Sequence, residues 1–269
     1  MPTAVESLLD SFLSFENRNG AALEDAFQEI DDNLANLLNG DPADFLKLEH
    51  DPAVHQDFNL IGRTFLTIGQ DFHIGAQAGA LIDNFVLKSF GLHKGDEPPA
   101  AQTDFLALDR DLERTATDLK HVGLDFLKLT TAHNPDAFSA RLDRIAGEFS
   151  GLADDLAGDQ DALSKLAGDV VTLASLPNPP SIQMALQDFG VELQTVAGQF
   201  GDLSKAFVQL HDATEAAPGS VGLAFMALMQ DFHALGAEAA DLGAQANELI
   251  HDLRGNAHPE TAATLAVHS

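Results

Sequence analysis

The 269-residue chain contains no cysteine, no tryptophan and no tyrosine. Lack of thiols excludes disulfides, thiolate nucleophiles, iron–sulfur clusters and cysteine-based zinc sites, leaving only histidine and carboxylate chemistry for a metal. With the other aromatics missing, the 18 phenylalanines stand alone. Phe has no polar handle for hydrogen bonding or for a membrane interface, so the aromatics here read as core material. Basic residues are scarce too: 14 Lys and Arg face 42 Asp and Glu, for a net charge of -28. After Arg144 the only cationic side chains are Lys165, Lys205 and Arg254. Such a surface repels polyphosphates and anionic lipid, so neither nucleic acid nor an anionic membrane is expected as a partner. Divalent cations are the counter-ions it would accept, although a dense acidic surface also serves solubility alone.

Long apolar runs are absent as well. The best candidate, Ala76 to Phe90, is interrupted by Asp83, Asn84 and Lys88, short of the ~20 apolar residues a membrane-spanning helix needs. The opening MPTAVESLLDSFLSFENRNG lacks a basic lead-in and places Glu6 and Asp10 among its apolar residues, unlike a cleaved secretory leader. The expected location is the cytoplasm, with export without a cleaved signal as the alternative.

What the chain does have is apolar residues, 45% of the total, and internal repetition. Phe45-Leu-Lys-Leu48, Phe126-Leu-Lys-Leu129 and Phe207-Val-Gln-Leu210 are spaced 81 residues apart each time. Each is followed by a proline-bearing break, at Asp51-Pro52, Asn134-Pro135 and Pro218-Gly219, where a helix cannot easily continue. Beyond each break, Ile68–Phe72, Ile145–Phe149 and Leu228–Phe232 share the form aliphatic, two residues, acid, Phe. Upstream, Phe27, Leu108 and Phe189 sit 18 residues before the corresponding Phe. Three anchors in one register mark a repeat.

Apolar residues recur by threes and fours, as at Phe58, Ile61, Phe65, Ile68 and Phe72, the signature of a helix with one buried stripe. Strand alternation is not sustained. The predicted fold is therefore all-α: three long helical hairpins over 22–93, 104–176 and 181–254, about six main helices, forming an elongated bundle or rod. A short helix over 4–16 is expected within an N-terminal segment 1–21, and a mobile tail over 255–269. Proline-rich linkers at Lys94–Gln102 and Leu176–Ser181 separate the blocks. Alanine and glycine clusters at 75–80 and 236–244 are the expected points of close helix approach.

Among ionisable residues, Asp118, His121 and Asp125 are spaced to cluster on one helical face, and Glu248 and His251 repeat the three-residue step. These are candidate metal ligands, with Glu248 and His251 matching the Glu-x-x-His element of di-iron bundles. His73 and His233 follow the shared acid and Phe in the first and third blocks, at the edge of the apolar stripe, and are candidates to hold a divalent metal or haem. Asp71, Glu148 and Asp231 share a register suited to capping a neighbouring helix or to polar contacts between hairpins. Asp31, Asp32 and Asn33 lack the glycine and terminal glutamate of a calcium loop. There is no Gly-x-Ser-x-Gly elbow and no phosphate-binding lysine motif.

The expectation is a non-catalytic scaffold, assembly subunit or protein-interaction surface with no resident cofactor, bound to a protein partner or to copies of itself. The alternative is a bundle binding a divalent metal or haem through the histidines above. A further alternative is an amphipathic coat on an apolar particle.

Overall fold

A computed structural model describes residues 51–89, 100–132, 134–175, 179–216 and 221–256. The expected N-terminal helix, the segment over 22–50 and the tail beyond 256 lie outside the described residues. Five helices make up almost everything described: α1 (Pro52–Ser89), α2 (Ala100–Leu129), α3 (Pro135–Ala174), α4 (Pro180–Ala216) and α5 (Val221–Asn256). No strand occurs among the described residues. The fold class is all-α. The longest helix, α3, has 40 residues and so extends about 60 Å.

Three of these helices begin on proline, at Pro52, Pro135 and Pro180. Proline breaks the preceding helix but suits the first helical position, where its missing N–H costs nothing and its φ is already helical. The residue before it completes the start. The Asn134 side chain accepts a hydrogen bond from Ala137 N at 2.8 Å, capping α3, and Asp51 Oδ1 accepts one from Ala53 N at 2.9 Å.

Each helix packs on the next along the chain, whereas α1 and α5 touch only sparsely. The packing follows from the stripes. On α1, Val54, Phe58, Ile61, Phe65, Ile68 and Phe72 are all buried, at three- and four-residue steps that keep them on one face. On α4 the same steps bury Leu186, Phe189, Leu193, Val196, Phe200, Leu203 and Phe207. Toward the end of the bundle where α2 and α4 finish and α3 and α5 begin, one ring from every helix converges: Phe65, Phe126, Phe149, Phe207 and Phe225. Phe65 stacks on Phe126 at 5.8 Å, Phe149 lies 5.9 Å from Phe207, and Phe225 meets Phe149 edge-on at 5.8 Å. Offset and edge-on pairs are the arrangements the ring quadrupole favours.

Glycine decides how closely α1 and α2 approach. A Cβ on Gly62 would come within 2.7 Å of Gly123 O, and one on Gly123 within 2.6 Å of Gly62 O. Two turns further along α1, a Cβ on Gly69 would meet Ala116 O at 2.8 Å. The backbones touch because neither helix carries a side chain at the crossing.

Candidate functional site

The ionisable groups that the fold buries lie between α2 and α3. Four aspartates on α2, Asp104, Asp111, Asp118 and Asp125, recur every seven residues, two helical turns, and therefore share one face. Running the opposite way, α3 presents Asp169, Ala162, Asp155 and Glu148 at the same step. Across the contact Asp104 faces Asp169, Asp118 faces Asp155 and Asp125 faces Glu148, near enough that a proton on one carboxyl can bond the other. The register gives Asp111 no acidic counterpart. Instead Asp159, one turn from Asp155 and wholly buried, accepts a hydrogen bond from Thr115 Oγ1 at 2.7 Å.

Cations close the seam from its solvent side. Lys165 binds Asp104 Oδ1. Arg114 Nη2 lies 2.8 Å from Asp155 Oδ1. Lys128 binds Asp125 Oδ1, and Arg144 Nη1 stands 3.6 Å from Asp125 Oδ2. Asp104–Asp169 and Asp118–Asp155 each combine two acids with one cation, a balance that a single shared proton completes, whereas Lys128 and Arg144 both stand at Asp125 in the Asp125–Glu148 pair. Asp104 Oδ2, Asp169 Oδ2, Glu148 Oε2, Asp155 Oδ2 and Asp159 Oδ1 are buried and meet no conventional donor among the described residues. A buried oxygen without a donor is costly, and a carboxyl proton is the donor these positions allow.

The electrostatics point the same way. Burial raises both members of the Asp125–Glu148 pair. The hydrogen bond and charge of Lys128, with the Arg144 charge, nevertheless hold Asp125 below the ordinary range. Glu148, buried and beside the Asp125 charge, is pushed up to about 7. In the Asp104–Asp169 pair, burial is outweighed at Asp104 by the Lys165 and Asp169 hydrogen bonds, which lower it. The Asp104 hydrogen bond and burial raise Asp169. Burial and the Asp118 hydrogen bond lift Asp155 to about 7 against the opposing Arg114 charge. Asp159 also reaches about 7, raised by burial and the Asp111 and Asp155 charges against the Thr115 hydrogen bond and Arg114. When two acids stand together, one keeps the charge and the other the proton.

The residues singled out from sequence are distributed differently. His73 Nδ1 pairs with Glu113 Oε1 at 2.7 Å, joining α1 to α2; His233 is exposed on α5. His121, largely exposed, stands 3.7 Å from Asp118 Oδ1. Asp125 turns to Lys128, Arg144 and Glu148 on the buried side. Glu248 and His251 are exposed near the end of α5. Among the described residues, no group of three or more His, Asp or Glu side chains is arranged to hold a metal ion. Of the acids sharing a register, Glu148 meets Asp125 across the α2–α3 contact, inside the block 104–176 rather than between hairpins. Asp231 is raised by burial and the nearby Asp202 charge; the Asp71 side chain lies outside the described residues. Sequence reading missed Asp104, Asp155, Asp159 and Asp169, although the seven-residue recurrence of aspartate on α2 was a signal that could have found the seam.

Fold and seam together define a long antiparallel α-bundle whose core is aromatic and whose buried polar groups are mutually paired carboxyls. No family model, curated protein or solved structure matches the chain. No helix among the described residues is long and apolar enough to cross a membrane.

Proposed function

We propose that the chain is a non-catalytic, acidic helical-repeat protein that acts as a scaffold or assembly subunit, contacting a protein partner or further copies of itself. The observation carrying this reading is the convergence of all five apolar stripes on one shared aromatic centre. The interior is spent on joining long helices into a single body, a property of structural elements rather than of pockets. The fuller architecture proposed is three repeated hairpins with six main helices. Its support is that Phe126 and Phe207, equivalent positions of the second and third blocks, each meet the Phe of the shared acid-Phe element of their own block. The distances are 6.3 Å for Phe126–Phe149 and 6.1 Å for Phe207–Phe232.

Exposed apolar residues supply surface for such contacts. Met184 and Val191, each 60% exposed, are seven residues apart on one face of α4. Val171 of α3, also exposed, reaches the Gly190 position beside them. Apolar side chains on so acidic a surface suit a protein contact whose centre is dry and whose rim is polar.

Native mass spectrometry of freshly purified protein, with elemental analysis and a visible absorption scan, tests the reading. A mass equal to the chain or to an integral multiple of it, with nothing bound, is expected. A stoichiometric metal or a haem band would overturn it in favour of a ligand-binding bundle.

A further inference from the structure

We propose that the α2–α3 seam is a proton-operated clasp. The pairs Asp104–Asp169, Asp118–Asp155 and Asp125–Glu148, together with buried Asp159, bind protons that hold the two helices together, and loss of those protons to solvent at alkaline pH parts them.

Three observations carry this independently of the scaffold reading. The first is register: acids recur at seven-residue steps on both helices and meet in three successive pairs. Charged residues this regular, facing each other across a helix contact, repel when ionised. The second is hydrogen bonding. A buried oxygen without a conventional donor occurs in each pair, and Asp159 Oδ1, on a residue with no exposed surface, is another. The third is the cation supply. Lys165, Arg114, Lys128 and Arg144 offset part of the negative charge in the pairs, but Asp159 has no cation bonded to it and faces Asp111 and Asp155.

The surroundings do not supply an alternative to the proton. On α2 and α3 the facing charged groups are those just named, with Asp154 near Asp155. From α1, His73 is engaged by Glu113, with Asp109 close by. From α4, His211 Nδ1 lies 2.9 Å from Ala146 O. The Asp202, Lys205 and Asp231 group belongs to the α4–α5 contact. Parting α2 from α3 uncovers Val122 and Leu152, both fully buried on the seam faces, so the clasp controls apolar surface as well as charge.

The test is hydrogen exchange of the full chain at pH 5.5 and 8.5, corrected for intrinsic exchange. One carboxyl titrating near 7 changes an opening equilibrium about thirtyfold over that interval when its open form is ordinary. Protection in α2 and α3 should therefore fall at least about tenfold on alkalisation, and more than in α5. In the variant Glu148→Gln/Asp155→Asn/Asp159→Asn/Asp169→Asn an amide stands at each of these positions at every pH, and the loss of protection should disappear. A control with the same charge change at exposed positions, Asp161→Asn/Asp188→Asn/Asp212→Asn/Asp241→Asn, should keep the wild-type loss. Equal wild-type protection at the two pH values would overturn the clasp, whatever the variants do. So would an amide variant that loses protection as the wild type does, or a control that abolishes the loss.

Discussion

Replacing Asp159 with asparagine should change the pH dependence of stability far more than stability itself. Asp159 is wholly buried, and its carboxyl is raised from 3.8 to about 7. Folding therefore takes up a proton wherever the pH lies between those values. The stabilisation is fully present below 3.8 and is lost as the pH climbs through 7, because the unfolded chain then binds fewer protons than the native one. Between pH 5 and pH 8 the loss amounts to about 2 to 3 kcal/mol at 1.36 kcal/mol per unit. For a protein of this size that corresponds to roughly 5–10 °C in melting temperature.

Asparagine has nearly the same shape, never ionises, and can still accept the Thr115 hydrogen bond. The variant should be close to wild type at pH 5 and should gain on it by about 2 to 3 kcal/mol at pH 8. Urea unfolding of both proteins at constant ionic strength, at unit steps from pH 5 to pH 8, measures the difference directly. Parallel stability curves, or a difference that moves in favour of wild type as the pH rises, would refute the reasoning.

Two glycine classes should respond oppositely. Gly123→Ala forces a methyl against the Gly62 carbonyl and should destabilise by about 1–3 kcal/mol. Gly151→Ala, in mid-α3 with nothing within 4 Å of the new methyl, should stabilise by about 0.5–1 kcal/mol; chemical denaturation distinguishes the two. Phe149→Ala removes a ring that is 1% exposed and touches four others in the aromatic cluster. A loss of about 3–5 kcal/mol is expected in the same assay.

The helical fold was legible because its signal is periodic and local. The stripe from Phe58 to Phe72 appears in the chain at the steps at which it is buried, and the prolines announce helix starts by chemistry that needs no tertiary context. The linker read over 94–102 extended too far, since Ala100, Ala101 and Gln102 begin α2; alanine and glutamine after a proline pair are good helix formers. Close approach was read from composition, in the alanine and glycine clusters; backbone-to-backbone contact also occurs outside them, at the single residues Gly62, Gly69 and Gly123. At those three, position on the contact face decides the approach, and composition does not record it. The side chains over 75–80 lie outside the described residues.

The carboxyl seam was harder to see. An acid in a chain of net charge -28 is by default a solvated residue, and His121 drew Asp118 and Asp125 into a metal reading through short spacing. Their partners on the seam are Asp155 and Glu148, 37 and 23 positions further along the chain. Only the antiparallel register of two helices brings these together.

The central claim is that the seam retains protons at neutral pH, and the direct measurement is a carboxyl carbon NMR titration of the wild-type protein with Glu148, Asp155 and Asp159 assigned. Midpoints near 7 for these groups, well above those of exposed acids such as Asp161, are the predicted result. Titration of all three in the ordinary carboxylate range near 4 would contradict the account.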